Sequence, residues 1–538
     1  MDKAYSAQIS ASAVVAWMAS TLFGVLRGRT AEDDKKQEHE SGGEAAPLST
    51  RVMGIATRVA PYVFIVGLVF GISIAIDRVF GANLPDRQAY LDELCQYWPF
   101  ATWASTGEWW TLSLPRVGLN AIHVPWTLTA TLGLLGVGLL FSWRVDINDF
   151  SLHHFYKNRL VRCYLGASHT AERQADCFTG FDPSDDVRLK DFDHDAFEGP
   201  KYPGPYPILN CALNLVGGQD LAWQERKSAS FVFTPKFCGY DVDRAVITPG
   251  HNGLREDAYV PTRSYYHPGE GPFLGMAMAI SGAAANPNMG RASSPAMAFL
   301  MTVFNVRLGW WVGNPRKRDG VAKPSPRLGL PYTALELFGG TDDRKKYVNL
   351  SDGGHFENLG VYELIRRGCR YIILCDAGQD DKFLGEDLAT LVRQCRTDFG
   401  VEIDIDIHRI CERTERISQT HCVVGQIHYH HIPRRTQFGR LMSEDEGPLL
   451  RGSRPAHEEG YLIYLKPSLT GDEAQDLVEF AKRIPEFPHQ TTADQWFDES
   501  QFESYRKLGM ANAPLIIRRV VRRSGRCVAR YQSTADEA

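Results

Sequence analysis

Leu350-Ser351-Asp352-Gly353-Gly354-His355-Phe356-Glu357-Asn358-Leu359-Gly360 is the stretch on which the reading of this chain turns. An Asp followed by two glycines, just past the apolar run Tyr347-Val348-Asn349-Leu350, places a carboxylate on a tight turn where backbone can approach a substrate closely. Such a carboxylate can work as a general base. A helix is expected to follow, with Asn358 as its N-cap, Leu359, Tyr362, Leu364 and Ile365 as its apolar positions, and Arg366 and Arg367 in its last turn. By itself an Asp-Gly-Gly is a weak signal, because Asp and Gly are the ordinary residues of turns.

Two further blocks precede it in order. One is Pro207-Ile208-Leu209-Asn210-Cys211-Ala212-Leu213-Asn214-Leu215, and the other is Ala279-Ile280-Ser281-Gly282-Ala283-Ala284-Ala285-Asn286-Pro287. With these blocks and with Asp352, Gly353, Gly354 and Asn358, the chain from about Phe150 to Leu508 resembles the patatin-like phospholipase family, specifically its large bacterial membrane-associated branch. The resemblance implies an α/β fold with a patatin-like three-layer core, and a Ser-Asp dyad in which Asp352 activates a serine held on a G-x-S-x-G elbow.

That elbow should lie upstream of Pro207, and no serine between Met1 and Tyr206 sits in the pattern. Gly166-Ala167-Ser168-His169-Thr170 lacks the second glycine, and Asn158 to Leu165 reads as a helix ending at Gly166, so Ser168 is read as a loop residue. The glycine-rich oxyanion loop of the family is missing too. The chain is therefore expected to be the C-terminal portion of such a protein, with the nucleophile supplied by a separate N-terminal segment or chain. Ser281, between Ile280 and Gly282, is the alternative nucleophile, since a crowded turn of small residues suits one. The family block makes it a packing serine instead, with Gly282 shaping the turn beside it.

Composition narrows the function classes. With 59 basic and 64 acidic residues in 538, the net charge of -5 offers no basic field, so nucleic acid is not an expected partner. The basic run Arg518 to Arg526 is local and reads as a solvated tail. The 11 cysteines contain no C-x-x-C pair, which argues against a zinc site and a disulfide framework, and Cys375 reads as a buried small hydrophobe. His428, His430 and His431 lack a completing carboxylate or cysteine, Asp376, Asp380 and Asp381 lack a phosphate-binding glycine loop, and His489 and Asp494 share an acyltransferase-like spacing that also fits a helix cap. No metal or cofactor is expected.

Val59 to Ile76 is uncharged, and Ile122 to Trp143 carries only His123 as an ionisable group, so both are expected to span a membrane. Ile9 to Leu26 is a weaker third stretch, and Thr30 to Glu44 reads as a disordered linker. Arg51 and Arg58 before the first span, and Arg144, Lys157, Arg159 and Arg162 after the second, predict a hairpin in a bacterial inner membrane with the C-terminal domain cytoplasmic. The expected organisation is an N-terminal segment and linker over 1–50, the transmembrane hairpin over 51–149, an α/β domain over 150–510 and a basic tail over 511–538. Strands are expected at Tyr371 to Cys375, as a buried parallel-sheet strand, and at Val401 to Ile407, Val423 to Tyr429 and Tyr461 to Leu465. Helices are expected at Ser294 to Val306, Leu384 to Phe399, Asp472 to Arg483 and Asp498 to Leu508. The expected function is lipid acyl hydrolysis on membrane lipids or acyl esters, with a catalytically inactive membrane scaffold or regulatory protein as the alternative.

Overall fold

The computed structural model describes residues 126–168, 173–193, 202–218, 225–241, 258–267, 269–317, 323–411, 413–414, 416–429, 459–491, 494 and 497–510. The expected span Val59 to Ile76, the segment Ile9 to Leu26, the linker and the basic tail lie outside them. The chain divides into two compact units, Met1–Ser151 with Ala292–Val306 and Pro326–Gly339, and Leu152–Arg291 with Arg307–Ser325 and Gly340–Ala538.

The larger unit mixes helix and sheet. Its first sheet joins β1 (Leu209–Asn214), β2 (Ser228–Phe233), β3 (Phe237–Tyr240), β4 (Tyr259–Pro261), β5 (Trp310–Gly313) and β6 (Tyr347–Asp352) in the order β4-β3-β2-β1-β6-β5. Every pairing in it is antiparallel. The reason is local for β2 and β3, which are separated by Thr234-Pro235-Lys236, far too short for the crossover a parallel pair needs. Period-two alternation divides the sheet into an apolar and a polar face. Leu213, Phe231, Phe233, Val312 and Leu350 form a fully buried core with Ala277 and Ile280 of helix Leu274–Ser281. Asn214, Asn349 and Ser351 alternate with them and are equally buried.

A second sheet has β7 (Tyr371–Cys375), β8 (Glu402–Asp404), β11 (Cys422–His428) and β12 (Glu459–Leu465) in the order β7-β12-β11-β8, and a short ribbon pairs β9 (Arg413–Thr414) with β10 (Ile417–Ser418). The pair β7 and β12 is parallel. The expectation of a strand buried on both faces at Tyr371 to Cys375 is corrected: it is an edge strand, with Ile372 and Leu374 inside and Tyr371, Ile373 and Cys375 exposed. Only three residues of the alternating run from Val401 pair as strand. The amphipathic helix Glu386–Phe399 ends at Gly400 with φ 65, the left-handed conformation that glycine tolerates, and presents Leu388, Leu391, Cys395 and Phe399 to the core. Helices Pro295–Val303 and Gln475–Arg483 form within stretches read as helical, and a helix at 499–510 runs two residues past the expected end at Leu508.

In the smaller unit, residues of the second expected span form the helix Trp126–Arg144. Among the described residues no helix is long and apolar enough to cross a membrane. The 19 residues of this helix rise about 28 Å, close to the thickness of a bilayer's hydrocarbon.

Candidate active site

Asp352 is the last residue of β6 and is paired with Cys211 of β1, so the sheet holds it at a strand end. The chain then tightens into the 3-10 turn Gly353–His355, and the Asp352 carboxylate accepts the Gly354 N–H at 2.7 Å. Close approach requires glycine at 353, where a Cβ would lie 2.7 Å from the Asn210 carbonyl oxygen, while one on Gly354 would lie 2.6 Å from the Asn358 side-chain oxygen, which can move aside. Burial raises the Asp352 carboxyl to about 6, against the opposing hydrogen bond from Gly354. A carboxylate that titrates near neutrality is matched to general-base work.

Ser281 ends helix Leu274–Ser281, and its hydroxyl donates to the Asn210 carbonyl at 2.6 Å. The Asp352 N–H bonds the Ala283 carbonyl at 3.2 Å, so the Ser281-Gly282 turn and the Asp352 turn share one corner of the fold. A side chain on Gly282 would lie 2.6 Å from the Tyr156 hydroxyl. Burial, then the charge of Asp352, raises the Tyr156 phenol, which keeps it a proton donor beside the carboxylate. Tyr156 carries no signal in the sequence, because it lies in the helix His153–Leu160, which holds no motif.

The expected cap role of Asn358 is corrected. Glu357 does the capping: its carboxylate accepts the N–H groups of Leu359, Val361 and Tyr362, and the helix runs only Tyr362–Arg366. A carboxylate satisfies several free N–H groups at once where the Asn amide oxygen satisfies fewer. Asn358 instead donates to Asp387 at 2.8 Å.

Behind the turn lies a polar cluster that the sequence reading missed. Ser351 Oγ meets His355 Nδ1 at 2.8 Å, Asn214 Nδ2 meets Ser351 Oγ at 3.0 Å and Asn349 Oδ1 at 2.8 Å, and Asn286 Nδ2 meets Asn349 Oδ1 at 3.0 Å. Burial lowers His355 to about 4, against a bond to the Ala284 carbonyl, so the ring is neutral at pH 7. Ser351 and His355 have the separation of a nucleophile and its base, but Ser351 is fully buried, which bars an acyl carbonyl from it. The expected helix end at Gly166 is corrected: Gly166 keeps a right-handed φ of -62, the helical path continues through the 3-10 helix Gly166–Ser168, and Ser168 at its end donates to the Leu165 carbonyl.

The aspartates considered for a cation are differently engaged. Asp376, just past β7, is buried and ion-paired with Lys466, just past β12, at 2.9 Å, and Tyr464 donates to the same carboxylate at 2.7 Å. The sequence does not show this pair, since Lys466 is distant from Asp376 in the chain and arrives through the parallel pairing. Asp380 accepts the N–H groups of Leu384 and Gly385, and His489 meets the Asp380 N–H and the Pro467 carbonyl, while Asp494 pairs with Gln501. His430 and His431 lie outside the described residues. Among the described residues, His421, Asp472 and Glu473 bring ligand atoms together, but His421 bonds Ser468 and Thr470, and Glu473 accepts the Thr470 and Gly471 N–H groups as a backbone cap does. Compared with protein-family models, curated proteins and solved structures, this chain matches none.

Proposed function

We propose that this chain is a lipid acyl hydrolase region of the patatin-like kind, membrane-associated, with Asp352 as the general base of a Ser-Asp dyad. The observation that carries the reading is the Asp352 carboxyl itself, held at a strand end on a glycine turn and raised to about 6 by burial. A serine hydroxyl attacks the acyl carbonyl of an ester while Asp352 takes its proton. The tetrahedral oxyanion then collapses, and the alcohol leaves with the proton from Asp352. Water repeats the sequence on the acyl-enzyme and returns the serine, with no metal or cofactor in the steps. The Tyr156 phenol is a donor available to the oxyanion in place of the glycine-rich loop. In this reading the nucleophile comes from a separate N-terminal segment or chain, and a patatin-like three-layer core surrounds the site.

Two observations favour the scaffold alternative: the Ser281 hydroxyl is committed to the Asn210 carbonyl, and Ser351 is buried. Hydrolysis of a short-chain acyl ester by the full chain, alone and with any G-x-S-x-G segment encoded next to it, separates the two. Activity that rises with pH through about 6, the Asp352 value, and is lost in Asp352→Ala supports the hydrolase. Loss in Ser281→Ala as well makes that serine the nucleophile. Absence of hydrolysis in every combination leaves the scaffold.

A further inference from the structure

The smaller unit is assembled from stretches far apart in sequence, Met1–Ser151, Ala292–Val306 and Pro326–Gly339. About half of the large apolar side chains that stand exposed among the described residues belong to it. On helix Trp126–Arg144 these include Leu135, Val137, Leu139, Leu140, Phe141 and Trp143. At about 100° per residue those positions spread over about two thirds of the helix circumference, and Ser142, in the remaining sector, bonds the Gly329 and Leu330 N–H groups. A docked protein covers one stripe and leaves the rest in water, whereas a surrounding apolar medium accounts for an arc this wide.

The two later stretches share this character. Phe304, just after helix Pro295–Val303, is 51% exposed, and Phe338, just after helix Leu330–Leu337, is 81% exposed. Residues 292–306 carry no charge at all, and in 326–339 the charged residues are Arg327 at the start and the buried Glu336. Backbone can enter hydrocarbon only with its polar groups satisfied from within. The turn after Val303 meets that condition: the N–H groups of Phe304, Asn305 and Val306 bond the carbonyls of Leu300, Thr302 and Met301, and the Asn305 amide bonds the Phe150 carbonyl at 2.6 Å. At the start of the third helix, Ser142 accepts the Leu330 N–H at 2.7 Å and its carbonyl accepts that of Gly329. Arg144 and Arg327, both exposed, supply cations for phosphate head groups at the ends of these helices, and Trp143 beside Arg144 is an interfacial anchor.

We infer that this unit is seated in a phospholipid bilayer and that 292–306 and 326–339 are lipid-inserting segments. The α/β chain thereby grips the membrane through two insertions of its own, in addition to its N-terminal segment. The nine residues of Pro295–Val303 rise about 13 Å, the depth of one leaflet's hydrocarbon, so insertion without crossing is what this length allows. The inference rests on the membrane association proposed above but not on the chemistry of Asp352.

The test uses the full chain in vesicles of phosphatidylcholine and phosphatidylglycerol, in three variants: Phe304→Cys, Phe338→Cys and, as an exposed control in the other unit, Phe502→Cys. Each is labelled with a water-soluble or a lipid-soluble maleimide, and peptide mass spectrometry separates the new thiol from the native ones. Insertion makes the first two at least about tenfold slower than the control with the water-soluble reagent but not with the lipid-soluble one. Rates equal to the control put these segments in water, and slow reaction with both reagents puts protein over them. Either result overturns the inference, while ester hydrolysis and its loss in Asp352→Ala are read independently.

Discussion

Asp352 is a carboxylate whose proton affinity is set by two opposed contacts, burial raising it and the Gly354 N–H lowering it, with burial the stronger. A folded value of about 6 lies above that of an unfolded aspartate, so the native state holds this proton more tightly. The stability it lends is fully present below pH 4 or so and is lost as pH rises through about 6. Asp352→Asn keeps the acceptor for Gly354 and removes the buried charge. It is therefore expected to be more stable than the parent by about 1–2 kcal/mol at pH 8, with the gap closing at pH 4, while any ester hydrolysis disappears. Thermal unfolding at the two pH values reads this directly, and a variant less stable at pH 8 would show that the carboxylate has a stabilising partner there. At this scale the sequence was informative about Asp352, Gly353 and Gly354, whose types follow from turn chemistry. It misassigned the cap, because Asn358 and Glu357 are adjacent and only the path of the chain decides which side chain faces the free N–H groups.

At the scale of elements, the parallel pair β7 and β12 ends in a buried ion pair, Asp376 with Lys466, to which Tyr464 adds a hydrogen bond. A buried pair contributes little net stability over an apolar replacement, but breaking it strands a charge. Lys466→Met should accordingly cost about 3–5 kcal/mol in urea unfolding, and adding Asp376→Leu should recover a large part of the loss. A single substitution that costs less than about 1 kcal/mol would mean that water reaches Asp376. Both strands were legible from their apolar runs and β-branched residues. The ion pair was not, because its partners are brought together by strand pairing rather than by spacing.

For the molecule as a whole, the buried histidines set the response to acid. Burial lowers His153 to about 3, against its bond to the Leu308 carbonyl, and lowers His355 to about 4. Groups depressed in the native state lend stability above their unfolded value near 6.5 that is lost as pH falls through the folded values. Unfolding free energy should thus fall by on the order of 2 kcal/mol per histidine between pH 6.5 and 4, partly offset by Asp352, and His355→Gln should flatten that slope. A slope unchanged in the variant would show that His355 is wetter than its bonds to Ser351 and Ala284 imply.

The sequence by itself determined part of the local grammar: several of the strands and helices, and which turn carries the carboxylate. These depend on periodicity and on neighbours within a few residues. Only the tertiary structure decided that the first sheet is antiparallel, that Tyr371–Cys375 is an edge strand, that Ser281 bonds Asn210, and that Tyr156 stands by Asp352. It also gathered 292–306 and 326–339 into one unit with the helix Trp126–Arg144. The reason is that a strand's partners and a side chain's burial are settled by which distant surfaces exclude water together, and no short-range pattern records that choice.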